Sequence, residues 1–194
     1  GIRLSVTDMA AGKKEGKTAA RRVAPEDVPP GVDEARAAFS GALGPELARQ
    51  RGFLQAMREE PPQLLHLEGG DASSRVALAL WWAALLNCEE QGDEPCLRCH
   101  SCLSIGARMH PDLFLLDGRV GSIKIDDVRG LRPVMGEKPH FARRRVIVLA
   151  EAQSLGVEAA NSLLKVLEDR VVRFESAYYD PNDTATPRWI HDVF

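Results

Sequence analysis

The chain has 194 residues, of which 44% are hydrophobic and 27% are charged, and its formal net charge is -3. This length allows one full core and a small satellite but hardly two full domains. The slightly acidic balance argues against a protein that coats nucleic acid by bulk electrostatics. No apolar run approaches the roughly 20 residues of a membrane-spanning helix, and the N-terminus lacks a secretory signal pattern. We therefore expect a soluble, cytoplasmic protein with no membrane partner.

The first 33 residues have no sustained apolar period and end in Pro29-Pro30-Gly31. This composition predicts a flexible N-terminal tail over residues 1–33. Residues 12–18 (GKKEGKT) resemble a phosphate-binding loop, but three residues separate the two glycines where that loop has four. No apolar strand precedes this run, which we interpret as a solvated basic segment.

The next part of the chain alternates helical and strand-like patterns. Apolar residues at helical spacing predict one or two amphipathic helices over 34–58. Continuous apolar runs then suit strands that are covered on both faces of a parallel sheet. We expect an α/β domain with a parallel sheet over residues 34–170, and residues 171–194 remain an unassigned C-terminal tail. The expected strands lie at 64–67, 113–116 and 146–149, and the expected helices at 75–86, from 126 to 135 and at 157–167.

All four cysteines fall within one short segment: Cys88, Cys96, Cys99 and Cys102. Four clustered thiols in a reducing compartment indicate a metal site rather than a disulfide framework. Tetrahedral zinc takes four such ligands, and a complete protein shell leaves no position for a reactive water. The spacing therefore predicts a structural Zn²⁺ module at 88–102.

Two alternatives to zinc stay open for these cysteines. An iron-sulfur cluster uses a similar spacing of two-residue gaps with one remote cysteine. The other alternative is a set of thiols that bind no metal. His100 and His110 lie nearby in the sequence, but four cysteines already complete a shell, so we interpret both as surface or locally hydrogen-bonded residues.

A glycine-containing turn follows the first predicted strand, in the strand, loop and helix context of a phosphate loop. Gly69 and Gly70 fit its start, but Ser74 stands in place of the second glycine, Arg75 in place of the lysine, and Val76 in place of the hydroxyl that binds magnesium. From these residues alone an ordinary strand-to-helix turn is the favoured interpretation, and a degenerate nucleotide loop is the alternative. It retains a helix N-terminus that can accept an anion.

The strand at 146–149 runs into Ala150 and Glu151, where an ATPase presents an aspartate that organises metal and water. This degenerate Walker B segment reinforces the conclusion from the loop. We expect no ATP hydrolysis, and ATP binding is doubtful.

Several stretches together resemble the bacterial DNA polymerase III clamp-loader subunits of the AAA+ family, and among them the delta-prime branch. They lie in family order over residues 62–169. The stretch at 159–168 (AANSLLKVLE) is the most specific. The series consists of the cysteine cluster, His110 to Leu113, Ile123 to Arg129, Arg145 to Leu149, and residues 159–168.

The resemblance implies a P-loop NTPase fold and a place in a five-subunit ring that opens the sliding clamp and loads it onto primed DNA. Its partners would be the gamma/tau and delta subunits, with the clamp and the primer-template reached through the complex. The gamma/tau subunits are the nearest relatives and retain ATP-binding residues, whereas delta-prime often has a damaged loop. The substitutions at Ser74, Arg75, Val76 and Ala150 favour delta-prime.

Two further functions stay open. One is an ATPase of the same family in which Arg75 and Glu151 act as substitutes. The other is a stand-alone zinc or iron-sulfur module that binds nucleic acid through the basic run Arg143-Arg144-Arg145, although such runs are more often solvated.

The match to the family ends after Glu168. No Ser-Arg-Cys segment follows, so no arginine finger is assigned, and the family's lid and collar domains have no counterpart. The resemblance therefore implies a chain that is truncated relative to the family. We also expect a sheet that lacks one strand and has an open edge.

Overall fold

A computed structural model describes residues 1–7, 32–62, 64–135, 137–169 and 174–177. Within these ranges, strands and helices alternate along the chain. The strands are β1 (Arg3–Thr7), β2 (Leu64–Glu68), β3 (Leu113–Asp117), β4 (Val146–Ala150) and β5 (Phe174–Ala177). The helices are α1 (Val32–Ala37), α2 (Ser40–Leu43), α3 (Ala48–Ala56), α4 (Ala72–Asn87), α5 (His100–Gly106), α6 (Ile125–Met135) and α7 (Val157–Asp169).

The five strands form one sheet in the order β1-β2-β5-β4-β3. β2, β5, β4 and β3 are parallel, and β1 pairs with β2 in the antiparallel direction. Helices connect the parallel strands, as parallel pairing requires. The predicted α/β class and parallel core are confirmed, and the architecture is consistent with an AAA+-type domain.

The prediction of a flexible tail over 1–33 is wrong at both of its ends. Arg3 to Thr7 form strand β1, whose register runs from Arg3 opposite Glu68 to Thr7 opposite Leu64. α1 begins at Val32. The signal for β1 was the apolar and polar alternation of its five residues, which is too short to stand out beside the polar composition that follows. Residues 8–31, with the glycine and lysine run at 12–18, lie outside the described residues.

The expectation of a missing strand is also wrong. β5 lies in the segment that we left unassigned, and it pairs in parallel with both β2 and β4. Without β5, the backbone N–H and C=O groups of β2 and β4 that face it would lack hydrogen-bond partners. Its four residues carry too little pattern to be found in a segment that resembles nothing in the family. Residues 178–194 lie outside the described residues.

The larger core lies on one face of the sheet and is centred on α4. This helix is buried along almost its whole length, and Trp81 and Leu85 are completely buried. It packs against β4 on one side and against α2, α3 and α5 on the others. A helix that is apolar all round needs such cover, and each fully buried side chain of this size contributes about 1.5–3 kcal/mol.

The second core lies on the opposite face, under α6 and α7. β4 serves both cores: Val146 and Val148 face α4, whereas Ile147 and Leu149 face the other layer. This alternation explains why the strand is apolar throughout. In the part of the chain that the structure describes, every helix is too short or too polar to cross a membrane.

Candidate functional site

The four cysteines converge where α4 ends and α5 begins. Cys88 follows α4 directly, Cys99 and Cys102 belong to the first turn of α5, and Cys96 comes from the loop between them. Their Sγ atoms all lie within 4.8 Å of one another. Thiolates around tetrahedral zinc, at bonds of about 2.3 Å, lie about 3.8 Å apart. The four side chains therefore could hold a metal ion.

Backbone amides support this cluster. The amides of Cys96, Cys99 and Cys102 donate to the sulfurs of Cys88, Cys96 and Cys99 at 3.3, 3.3 and 3.4 Å. Hydrogen bonds from Cys102 and Cys99 lower the pKa of the Cys88 thiol far below its usual range, whereas those to Cys88 and Cys99, with burial, raise the pKa of Cys102 far above it. Bare sulfurs at this spacing cannot all ionise together, so the cluster suits a divalent cation that compensates four thiolates.

Polar contacts fix the loop that carries Cys96. Arg98 forms a bidentate pair with Glu90, at 2.8 and 2.9 Å. Glu89 accepts from the amide and the hydroxyl of Ser101, at 3.1 and 3.2 Å. Leu97 adopts a left-handed backbone with φ of 54°, which turns the chain back toward the cluster. The loop therefore holds its shape through contacts of its own.

The two histidines near the cluster lie apart from the ligand set. His100 is exposed at the start of α5. His110 is buried, and its Nδ1 accepts from the backbone amide of Asp112 at 3.0 Å. Burial lowers the pKa of His110, so the neutral ring is favoured. His110 has a local hydrogen bond, as the sequence reading expected.

The predicted nucleotide loop follows β2 and leads into α4. Gly69 and Gly70 both have left-handed backbones, with φ of 75° and 62°. A Cβ on Gly69 would lie 2.7 Å from the Gly1 carbonyl oxygen, and one on Gly70 would lie 2.8 Å from Ile2 Cγ1. Gly1 and Ile2, which precede β1, thus lie against the loop and leave no space for a side chain at either glycine. Only glycine meets both requirements here.

Two side chains of the protein, those of Arg75 and Asp71, bind the backbone of this loop and of the helix start that follows it. The Arg75 guanidinium is buried, and it donates to the carbonyl oxygens of Gly69 and Gly70 at 2.8 and 2.9 Å. It also forms an ion pair with the Glu151 carboxylate. At the start of α4, Asp71 accepts from the Ser74 amide at 2.9 Å. Asp71 therefore takes an amide that a bound anion would use.

The second half of the degenerate site meets the first at the carboxyl ends of β2 and β4. Glu151 follows β4 in a left-handed conformation, with φ of 57°, and also accepts from the Gln153 amide group. Val76 is 2% exposed and Ala150 is fully buried, so both positions serve the core. The structure places Arg75 in contact with Glu151. In the sequence, the two residues belong to two separate degenerate motifs.

Sequence reasoning missed a second charged cluster, at the amino ends of the strands. The Asp112 side chain is fully buried and accepts from the amides of His140, Phe141 and Ala142 at 2.9, 2.7 and 2.9 Å. Arg145 reaches the same carboxylate at 3.1 Å. The available signal was an aspartate directly before an apolar run.

A family model described as "DNA polymerase III, delta subunit" matches residues 55–171. The chain belongs to this family. The match contains the loop, the cysteine cluster and both charged clusters. The resemblance to delta-prime is therefore confirmed, and gamma/tau proteins are also relatives.

Curated members of the family give the same result. The DNA polymerase III subunit delta' of Pseudomonas aeruginosa is 35% identical over 106 residues, which cover 53% of this chain and 32% of that protein. The delta' subunit of Bacillus subtilis is 32% identical over 102 residues, 53% of this chain and 31% of the relative. The tau subunit of Bacillus subtilis is 28% identical over 102 residues, 52% of this chain and 18% of tau. The match thus spans about a third of each delta' relative.

Proposed function

We propose that this chain is a non-hydrolysing, delta-prime-like subunit of a DNA polymerase III clamp-loader complex. In that role it helps to load the sliding clamp onto primed DNA during replication. Membership of the delta-subunit family and the relatives named delta' support the place in the complex. The contacts of the Arg75 guanidinium with the Gly69 and Gly70 carbonyl oxygens and with Glu151 carry the non-hydrolysing part.

Two contacts of Arg75 oppose nucleotide binding, and the side chain at position 76 opposes hydrolysis. A lysine in a phosphate loop directs its charge toward the phosphates, whereas the Arg75 guanidinium points into the carbonyl oxygens of Gly69 and Gly70. Glu151, the acid nearest to a catalytic position, is already an ion-pair partner of Arg75. Val76 offers no oxygen for magnesium. A nucleotide would have to break the ion pair before it could bind, and hydrolysis would still lack its metal ligand.

The metal that best fits the cysteine cluster is a structural zinc ion. Four sulfur ligands leave no place for substrate or water, so zinc here would supply folding energy rather than chemistry. Cys88, Cys96, Cys99 and Cys102 would hold it. The module at 88–102 then forms a satellite of a domain that comprises residues 34–170 together with β1 and β5.

The proposed partners follow from the same family. The gamma/tau and delta subunits would contact the chain directly, and the sliding clamp and primer-template DNA would be reached through the complex. A cytoplasmic location suits this role. An ATP-hydrolysing, gamma/tau-like subunit is the alternative, because proteins named tau and gamma/tau are among the relatives.

Reconstitution tests this proposal. The purified protein is mixed with the gamma/tau and delta subunits of its own organism, and clamp loading onto primed DNA is measured with and without it. We expect loading to require this protein while the protein alone hydrolyses no ATP. Loading at full rate in its absence would contradict the role. Steady hydrolysis by the protein alone, lost in Arg75→Ala, would establish the alternative.

A further inference from the structure

Arginines of the helices that lie between β1 and β2 in the chain reach residues 89–98, which we call the cysteine loop. Arg36 of α1 donates from Nε to the Leu97 carbonyl oxygen at 3.0 Å. Arg58, which follows α3, donates to the Gln91 carbonyl oxygen at 3.0 Å and to the next one along the chain at 2.7 Å. Both ends of the cysteine loop therefore contact the α1–α3 segment.

A third arginine joins the cysteine loop to the end of α2. The Arg51 side chain is 14% exposed, and its Nη1 donates to the Gly44 carbonyl oxygen at 2.9 Å and to that of Ala42. Its Nε lies 3.9 Å from the Glu94 carboxylate of the loop. Arg51 of α3 thus connects α2 to a loop that contains neither a helix nor a strand.

The loop residues at both ends of this contact have left-handed backbones. The angle φ is 53° at Gln91 and 54° at Leu97. A residue with a side chain keeps this conformation only where its surroundings impose it. Gln91 lies between Cys88 and Cys96 in the chain, and Leu97 lies between Cys96 and Cys99. Ligation of the cysteines would fix the chain on both sides of each residue and, with it, the directions of the two carbonyl oxygens.

α5 links the cysteines to α1 by a second route. Cys99 and Cys102 lie at the start of α5, and α1 packs against this helix. The two backbones approach so closely that a Cβ on Gly106 would collide with the Ala35 carbonyl oxygen. A change in the position of α5 would therefore displace α1 as well.

The three helices that make these contacts are short. α1 has six residues, α2 has four and α3 has nine. Helices of this length are marginal in isolation and keep their shape through tertiary contacts. α2 and α3 also pack on α4, but the cysteine loop and α5 supply the other surfaces on which the segment lies.

We infer that metal binding by the four cysteines orders the α1–α3 segment, through the cysteine loop and α5. Ligation holds the loop carbonyl oxygens where Arg36 and Arg58 reach them, and Arg51 adds its ion pair with Glu94. The coupling is reciprocal, because contacts that favour the metal-bound shape of the loop also raise its affinity for the metal. The inference rests on the structural zinc of the proposed function and gives that zinc a role outside its own module.

Hydrogen exchange of the zinc-loaded protein, before and after treatment with a chelator, tests the inference. We expect removal of zinc to speed exchange at the α3 amides, such as that of the buried Leu54, by about tenfold or more. The amides of α7, which packs on the opposite face of the sheet, should exchange at the same rate in both samples.

Arginine variants test the coupling in the reverse direction. The zinc affinity of the full chain is measured by competition with a chromogenic chelator. We expect the double variant Arg36→Met with Arg58→Met to bind zinc about tenfold more weakly, although neither residue is a ligand. Arg49→Met, at an exposed position of α3 outside these contacts, is the matched control and should bind zinc as the wild type does.

Elemental analysis of each sample separates the outcomes. A protein that binds no metal contradicts both the inference and the structural zinc. Exchange in α3 that the chelator leaves unchanged, or exchange in α7 that rises as much as in α3, contradicts the inference alone. Wild-type zinc affinity in a double variant that circular dichroism shows to be folded also contradicts it. If the double variant does not fold, the exchange comparison on the wild type decides by itself.

Discussion

The Arg75 guanidinium connects two strand ends that lie far apart in the sequence. It joins the turn after β2 to the residue after β4 through the Gly69 and Gly70 carbonyl oxygens and the Glu151 carboxylate. The Arg75 side chain is 4% exposed and that of Glu151 15%. Because both charges are largely removed from water, removal of one leaves the other without compensation. Arg75 therefore has a structural role in the place of a nucleotide ligand.

Replacement of Arg75 by methionine tests this role. We expect Arg75→Met to lower the free energy of unfolding by about 3 kcal/mol, because Glu151 is left partly buried and unpaired. Arg129→Met breaks an exposed ion pair with Asp126 and should cost much less. Urea denaturation of both variants provides the measurement. Equal costs for the two variants would contradict the structural role of Arg75.

The Asp112 carboxylate makes the stability of the protein depend on pH. Burial opposes its ionisation, but the amides of Ala142, Phe141 and His140 and the Arg145 guanidinium outweigh burial and hold its pKa below the ordinary 3.8. A carboxyl group with a lowered pKa stabilises the folded state above its ordinary pKa. That stabilisation is lost as the pH falls through the lowered value.

We therefore expect the free energy of unfolding of the wild type to fall as the pH drops below 3.8, the ordinary pKa of this group. Asp112→Asn should be less stable at neutral pH and should show a smaller fall over the acidic range. Asp126→Asn, whose side chain is 87% exposed, is the matched control and should follow the wild-type curve. An unchanged acid slope in Asp112→Asn would show that this carboxylate does not contribute.

Compared with the other structural elements, the cysteine module depends less on a hydrophobic core of its own. Its loop has few buried apolar side chains of its own, and its side chains instead converge through the four cysteine sulfurs. Small modules of this kind usually need a metal or a cross-link. The four sulfurs lie close enough together to bind one metal ion. Elemental analysis of the purified protein identifies that metal.

We expect about one zinc ion per chain and none of iron, by mass spectrometry of elements in the purified protein. Substitution of any one of the four cysteines by serine should abolish tight zinc binding and lower the thermal midpoint of unfolding. Treatment of the wild type with a chelator should have the same two effects. Ser104→Ala changes the same segment without a ligand and should keep the zinc. Stoichiometric iron, or full stability of the protein without metal, would contradict the structural zinc.

The Asn87 side chain of α4 is one of the groups that hold residues 137–144, the segment before β4. Asn87→Leu removes both hydrogen bonds to the Arg144 backbone, and a lost hydrogen bond at a buried site costs about 1–3 kcal/mol. We expect lower stability together with faster hydrogen exchange at the Arg144 amide. Asn161→Leu, at an exposed position of α7, should change neither quantity. Unchanged exchange at Arg144 in Asn87→Leu would show that Asn87 does not order this segment.

The elements also differ in how far their sequence predicts them. β2, β3 and β4 are rich in apolar residues, and each was found with an error of one residue at its end. The signal is most continuous in β4, which is buried at all five positions. β1 and β5 were missed, since an edge strand and a four-residue strand depend on pairing partners that are distant in the sequence. The four cysteines lie within one short segment of the chain, so their cluster could be predicted without knowledge of tertiary contacts. The Arg75 pair and the Asp112 cluster span 76 and 33 residues, and no local pattern connects them.

At the scale of the whole molecule, the two ends of the parallel sheet have different roles. The carboxyl ends of the strands hold the loop that Arg75 binds, where a nucleotide would be expected in an active relative. The amino ends carry the Asp112 cluster, residues 137–144 and, through Asn87, the approach to the cysteines. The Arg75 contacts and the Asp112 cluster thus lie at opposite ends of the same sheet.

The central claim is that the loop after β2 neither binds nor hydrolyses ATP. Isothermal titration of the purified protein with ATP and magnesium, at concentrations up to about 1 mM, is the most direct measurement, with phosphate release followed in the same samples. We predict no binding isotherm and no release of phosphate above a blank without protein. Saturable binding of ATP, or phosphate release that is lost in a folded Arg75→Ala variant, would contradict the account.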